Sequence, residues 1–197
     1  MERKFYKLVW TVFRPVFRFL YPLRISGREN LPAEGGFVLC LNHCSALDPI
    51  LTVCCLPRDR WMMFMGKKEL YDHKLLGPLV RPLGMIPVDR GNADLNAVRT
   101  CLKVLKEGAG LVIFPQGTRS KDNTPTPMLN GASMIALRGS VPVIPAYLGG
   151  PYRLFRKVEV HFGAPLDFSD FGRRCDADTL AAATRRIEEG IWGLRSK

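Results

Sequence analysis

The stretch Gly36-Phe37-Val38-Leu39-Cys40-Leu41-Asn42-His43-Cys44-Ser45-Ala46-Leu47-Asp48-Pro49 passes from an apolar run of strand length into a polar turn. Pro49 has no N–H to lose at the first positions of a helix, and Asp48 is a favoured cap, so the pattern predicts a helix starting there. His43 and Asp48 then share a strand-to-helix turn, close enough for the carboxylate to hold the imidazole. An imidazole, with an ordinary pKa of about 6.5, can take a proton from an alcohol near neutral pH when it is so oriented. The same residues also describe a polar turn with a capping Asp and an incidental His. Features further along the chain decide between the two.

Working outward, residues 1 to 24 form a distinct segment. Phe5, Leu8, Val9, Val12, Phe13, Val16, Phe17 and Leu20 follow helical spacing, with Lys4, Lys7, Arg14 and Arg18 among them. The segment is too short and too charged for a bilayer span or a signal-peptide core. A basic, aromatic, amphipathic helix of this kind suits the membrane interface, with Pro15 allowing a bend. The alternative is a helix packed on its own domain. That domain is expected over residues 25 to 197.

After the His turn the pattern predicts a helix over 49 to 56, a strand over 61 to 65, and a helical stretch from Lys67 to about Gly77. Met85-Ile86-Pro87-Val88 reads as a strand delivering Asp89 and Arg90. A helix is expected over 93 to 107, stopped by Gly108 and Gly110. Leu111 to Phe114 then feeds the turn Pro115-Gln116-Gly117-Thr118-Arg119-Ser120. A helix to Arg138, strands over 141 to 146 and 157 to 162, and a last helix capped by Asp176 or Asp178 complete the chain. Strands alternating with helices predict an α/β fold, a mostly parallel central sheet flanked by helices.

Composition narrows the function. The net charge of +11 over 197 residues implies anionic partners. Six cysteines without a secretory pattern read as reduced thiols. Cys40, His43 and Cys44 lack a second ligand cluster, so no metal site is expected. Gly108-Ala109-Gly110 lies between a helix and a strand, the wrong order for dinucleotide binding, and no phosphate loop or Gly-x-Ser-x-Gly elbow occurs. No reading helix or zinc module accompanies the basic charge, so nucleic acid is not expected either. Cys44 and Ser45 neighbour His43 in sequence, an arrangement that rarely aims a nucleophile at its base. His73 and His161 read as surface or packed residues.

What is left is a set of strand ends bearing polar and cationic groups, where open α/β sheets collect ligands. Arg90, Arg119 and the Gly117-Thr118 turn suit a phosphate. Here the chain resembles the glycerolipid acyltransferase family. Asn42-His43-x4-Asp48 is similar to its catalytic block, Gly84 to Arg90 to the second, Phe114 to Ser120 to the third and Val141 to Ala146 to the fourth, in the family's order. The resemblance implies transfer of a fatty acyl group from acyl-CoA or acyl-carrier protein to the hydroxyl of a lysophospholipid, most directly 1-acylglycerol-3-phosphate. It implies His43 as general base without an acyl-enzyme, Asp48 as its orienting partner, and Arg90, Gln116, Gly117, Thr118 and Arg119 as substrate-binding residues. No cofactor is implied, and the protein is expected to be peripheral or monotopic on the cytoplasmic face of an anionic membrane.

Two departures stand out: Gln116 where the family usually has Glu, and no Lys before Gly131. Gln116 has no charge with which to orient an Arg. Another lysolipid or amino-lipid acceptor, or a catalytically weak lipid-binding relative, are the alternatives these departures raise.

Overall fold

The computed structural model describes residues 3–74, 77–81, 83–89, 94–172 and 175–195. Arg90 lies outside them. The first element is α1 (Arg3–Leu20), which contains Pro15. Then come β1 (Leu23–Ser26), β2 (Phe37–Leu41), α2 (Asp48–Cys55), β3 (Met62–Lys67), α3 (Lys68–Asp72), α4 (Gly77–Val80) and β4 (Met85–Val88). The second half adds α5 (Leu95–Lys106), β5 (Gly110–Ile113), α6 (Gly131–Gly139), β6 (Val143–Leu148), β7 (Val158–Phe162) and α7 (Ala177–Trp192).

Among the described residues seven strands form one sheet in the order β1-β7-β6-β2-β5-β3-β4. Every neighbouring pair is parallel except β6 with β7. The expected α/β architecture with a mostly parallel central sheet is therefore what this chain adopts.

β2 shows why. All five of its residues are buried, because a central parallel strand is covered on both faces. Val38 and Cys40 join the core beneath α5, α6 and α7, with Cys101, Leu105, Ile135, Ala136 and Ile187. Phe37, Leu39 and Leu41 face the other way, with Cys55, Leu56, Val112, Ile144 and Val160. The C-terminal ends of β2, β3, β4, β5 and β6 all point to one end of the sheet. β1 and β7 run the opposite way, so their first residues, Leu23 and Val158, sit at that same end, directly paired.

Several sequence expectations need correction. The stretch from Lys67 is two short helices, α3 and α4, since His73 turns extended at the end of α3. β1 has no counterpart in the sequence reading; its alternation of half-buried Leu23 and Ile25 with exposed Arg24 and Ser26 is only four residues long. Asp48 is not the cap of α2. That position belongs to Leu47, and the Asp48 carboxylate turns back onto the preceding residues. At α7 the cap is Asp176, which accepts from Thr179 N–H at 2.9 Å. His161 is packed, its Nδ1 2.6 Å from Ser26 Oγ.

Helix α1 lies on the outer side of α2. Trp10 Nε1 donates to Leu56 O at 3.1 Å and Arg14 Nε to Cys54 O at 3.2 Å, so α1 satisfies carbonyls that the end of α2 leaves unpaired. Lys7 pairs with Asp59 at 2.6 Å. The other side of α1 exposes Leu8, Val12, Phe13, Val16 and Phe19.

Candidate active site

The chain leaves β2 through Asn42, whose side chain continues the pairing that the backbone abandons. Its Nδ2 donates to Leu148 O at 2.9 Å and its Oδ1 accepts from Leu148 N–H at 2.7 Å, as a strand residue would. Asn42 Nδ2 also donates to Asn123 Oδ1 at 2.6 Å, and Asn123 Nδ2 bonds Leu148 O, Gly150 O and the Tyr147 hydroxyl. Both amides are buried and satisfied, the condition under which a buried polar network fixes one geometry.

Anchored this way, the next residue turns onto the end of the sheet. His43 Nδ1 lies 2.6 Å from Asp48 Oδ2. The same oxygen accepts from Cys44 N–H at 2.7 Å and Ser45 N–H at 2.8 Å, while Oδ1 accepts from the Tyr152 hydroxyl at 2.6 Å. Asp48 is fully buried, and these donors offset the desolvation of its charge. A carboxylate can only accept, so the proton is on His43 Nδ1 and the lone pair on Nε2. Nε2 makes no hydrogen bond among the described residues, and the ring, 15% exposed, stacks on Phe114 at 4.5 Å. The imidazole is thus oriented, held flat and open at one nitrogen, which is what a general base requires.

Burial, and then the nearby Asp48 charge, push the Tyr152 hydroxyl far above the ordinary tyrosine range, so it is a fixed donor. The same two causes push the Cys44 thiol up to about 12. A thiol that stays protonated is a poor nucleophile, and Cys44 Sγ is directed at Asp48 Oδ1, 3.7 Å away, rather than at the imidazole.

The turn after β5 is fastened to His43 on both sides. His43 N–H donates to Gln116 Oε1 at 2.6 Å, and Ser120 N–H donates to His43 O at 2.8 Å. Between these bonds Gly117-Thr118-Arg119 arches over the turn. Gly117 has φ +67°, a left-handed conformation that favours glycine. Thr118 and Arg119 are exposed, and the Arg119 side chain makes no hydrogen bond or ion pair among the described residues. Gln116, by contrast, is 5% exposed, and its Nε2 donates to Thr126 Oγ1 at 2.6 Å. The structure therefore places it beneath the histidine turn rather than as a tether for Arg119.

A hollow of about 590 Å³ lies elsewhere, beyond β4, lined among others by Lys68, Asp89, Asp94 and Arg99. Three strand spacings, roughly 14 Å along the sheet, separate it from β2.

A family model described as acyltransferase matches residues 22–149, which contain all the residues just described except Gly150 and Tyr152. A Bacillus subtilis (strain 168) protein named 1-acyl-sn-glycerol-3-phosphate acyltransferase is 34% identical, over 98% of each chain. The chain belongs to the acyltransferase family. A Streptococcus pneumoniae protein of the same name is 29% identical over 80% of this acyltransferase, which spans 60% of that longer relative. The crystal structure of the 1-acyl-sn-glycerophosphate (LPA) acyltransferase PlsC from Thermotoga maritima superposes with a TM-score of 0.70 at 25% identity. The match covers 99% of this chain and 78% of that one.

Of the site residues read from sequence, His43, Asp48, Gln116, Gly117, Thr118 and Arg119 come together in the acyltransferase, and Arg90 is outside the described residues. Sequence reasoning missed Tyr152 and Asn123, which lie 104 and 81 residues from their partners. For Asn123 a faint signal existed, an Asx residue in a polar loop, where it takes φ +51°. Tyr152 gave none.

Proposed function

We propose that this acyltransferase esterifies the free hydroxyl of 1-acylglycerol-3-phosphate with a fatty acyl group from acyl-CoA or acyl-carrier protein, giving phosphatidic acid. The observation that carries the reading is the Asp48-locked imidazole of His43, whose backbone is bonded to the Gln116–Ser120 turn on both sides. In this reading Nε2 takes the proton of the acceptor hydroxyl as its oxygen attacks the thioester carbonyl. Asp48 stabilises the imidazolium that forms. The tetrahedral intermediate collapses, the C–S bond breaks, and the departing thiolate receives the proton back from Nε2. No acyl-enzyme is formed, consistent with the protonated Cys44.

Arg119, exposed on the turn that is bonded to His43, would receive the acceptor's phosphate together with Arg90. Both proposed donors are anionic, in keeping with the net charge of +11. No cofactor enters any step.

Among the described residues no helix is long and apolar enough to cross a membrane. Helix α1 instead grips α2 with one face and exposes an apolar face, the arrangement of a helix lying in a bilayer interface. We assign it that role, with the protein peripheral or monotopic. The test is to incubate purified protein with acyl-CoA or acyl-carrier protein and a panel of lysolipids, and to identify the product by mass. Phosphatidic acid as the main product supports the reading; selective acylation of a different lysolipid overturns it.

A further inference from the structure

The loop between β6 and β7 carries a group of residues that neither the dyad nor the core uses. Leu154 and Phe155 are 57% and 61% exposed, flanked by exposed Arg153, Arg156 and Lys157. Phe155 has φ +60°, a conformation uncommon for a bulky residue and held only where the surroundings fix it. What fixes it is α1. Phe155 N–H donates to Leu20 O at 2.7 Å, and the Phe155 ring meets Phe19 edge-on at 5.7 Å. Phe19 is itself 73% exposed. Two aromatic rings are therefore clamped against each other while both face outward.

We propose that Arg153-Leu154-Phe155-Arg156-Lys157 is a second bilayer-inserting element, which joins the exposed face of α1 in one surface that seats the catalytic end of the sheet on an anionic phospholipid bilayer. The inference rests on the membrane reading of α1 and adds to it a site outside that helix.

Three observations support the bilayer as occupant. The segment and the end of α1 carry four exposed cations, Arg18, Arg153, Arg156 and Lys157, which match an anionic headgroup layer around an apolar centre. A second copy of the chain would bring these like charges together across a two-fold axis, which costs binding. The topology also places the surface where a lipid substrate is needed. Leu23 and Val158, the residues that follow α1 and the loop, pair at the end of the sheet that carries His43. The segment follows directly on Gly150-Pro151-Tyr152, whose tyrosine reaches Asp48. A lysolipid leaving the bilayer would thus meet the dyad without the whole molecule entering water.

The experiment uses the full-length protein and vesicles of mixed phosphatidylglycerol and phosphatidylcholine, with binding read by flotation. Leu154→Ser with Phe155→Ser, which leaves every charge in place, should weaken binding by at least about tenfold, the scale set by losing two inserted apolar side chains. Its melting temperature and its acyl transfer to a short-chain monomeric acceptor should match the parent. Phe155→Trp should show a blue-shifted emission on vesicle binding and quenching by brominated acyl chains.

If the serine pair binds vesicles as tightly as the parent while Val12→Ser with Val16→Ser does not, the surface is confined to α1. The proposal then fails and the membrane reading stands. If neither pair changes binding, both fail. A parent dimer in solution that the loop pair abolishes, with vesicle binding unaffected, would assign the patch to a second copy and overturn the proposal.

Discussion

At the scale of single residues, the site depends on one carboxylate that holds everything around it. His43→Ala removes the base and should lower turnover by roughly 10²–10⁴-fold, with the fold intact, since the ring stacks on Phe114 at the surface of the site. Asp48→Asn should cost less. Its oxygen can keep the bonds from His43, Cys44 and Ser45, so what is lost is the charge and the acceptor for the Tyr152 hydroxyl. Steady-state rates and melting curves on the two variants check the order; equal losses would mean that Asp48 does more than orient and balance charge. At position 116 the side chain must accept from His43 N–H and satisfy Thr126. A glutamate can do both, because the threonine hydroxyl can turn to donate, so Gln116→Glu should leave kcat/KM within about threefold, whereas Gln116→Leu strands a buried donor at about 1–3 kcal/mol. Acceptor-panel kinetics distinguish the pair, and a large gain for the glutamate would restore an arginine-tethering role. The Cys44 thiol, pushed up to about 12, has on the order of one thiolate in 10⁴ at pH 8. Alkylation of Cys44 by iodoacetamide should therefore be far slower than that of free cysteine at pH 7–9, and should quicken about tenfold per pH unit upward. Peptide mapping after timed quenching reads it, and fast labelling at neutral pH would reopen the covalent route.

At the scale of elements, an aromatic series connects the outer helix with the site. Phe13 stacks on Phe17 at 6.2 Å, Phe17 on Tyr21 at 6.5 Å, and Tyr21 meets Tyr152 edge-on at 6.3 Å. Tyr152 then donates to Asp48. The last contact in this series is a hydrogen bond to a charged group, of a kind that contributes about 1.5–3 kcal/mol. Tyr152→Phe should therefore lower kcat by roughly tenfold with little change in KM for the donor, as expected of a positioning residue whose loss leaves the binding groups untouched. Full activity in that variant would show the backbone donors of Cys44 and Ser45 to be sufficient. The elements were unevenly legible from sequence. β2, β5 and α5 announced themselves by apolar runs or helical spacing, because burial on two faces or one leaves that pattern. The split of α3 from α4 and the brief β1 did not, since four or five residues carry too little periodicity. The two faces of α1 were also merged in the sequence, where apolar spacing cannot tell a face gripping α2 from one turned outward.

At the scale of the molecule, charge and apolar surface act together. Each Lys or Arg near an anionic membrane contributes about 1 kcal/mol, and at 1 M salt the screening length falls to about 3 Å. High salt should therefore loosen the protein from vesicles only in part, the apolar faces remaining inserted; complete release in a flotation assay would leave electrostatics as the sole attachment. The dyad was legible because its two members are five residues apart. Its supports were not, since Asn123, Leu148 and Tyr152 are brought in by the sheet from distant parts of the chain. That same topology sets a timetable for synthesis. The edge strand that follows α1 pairs with β7, so that Ser26 awaits His161, 135 residues later. At about 5–20 residues per second, α1 is complete on the order of ten seconds before the sheet that will hold its neighbours can close. During that interval the outward-facing side chains of the nascent helix have no protein to cover them. On the membrane reading of α1, a bilayer could take up that face during this interval, so that the enzyme would be moored to a lipid surface before it has a working site.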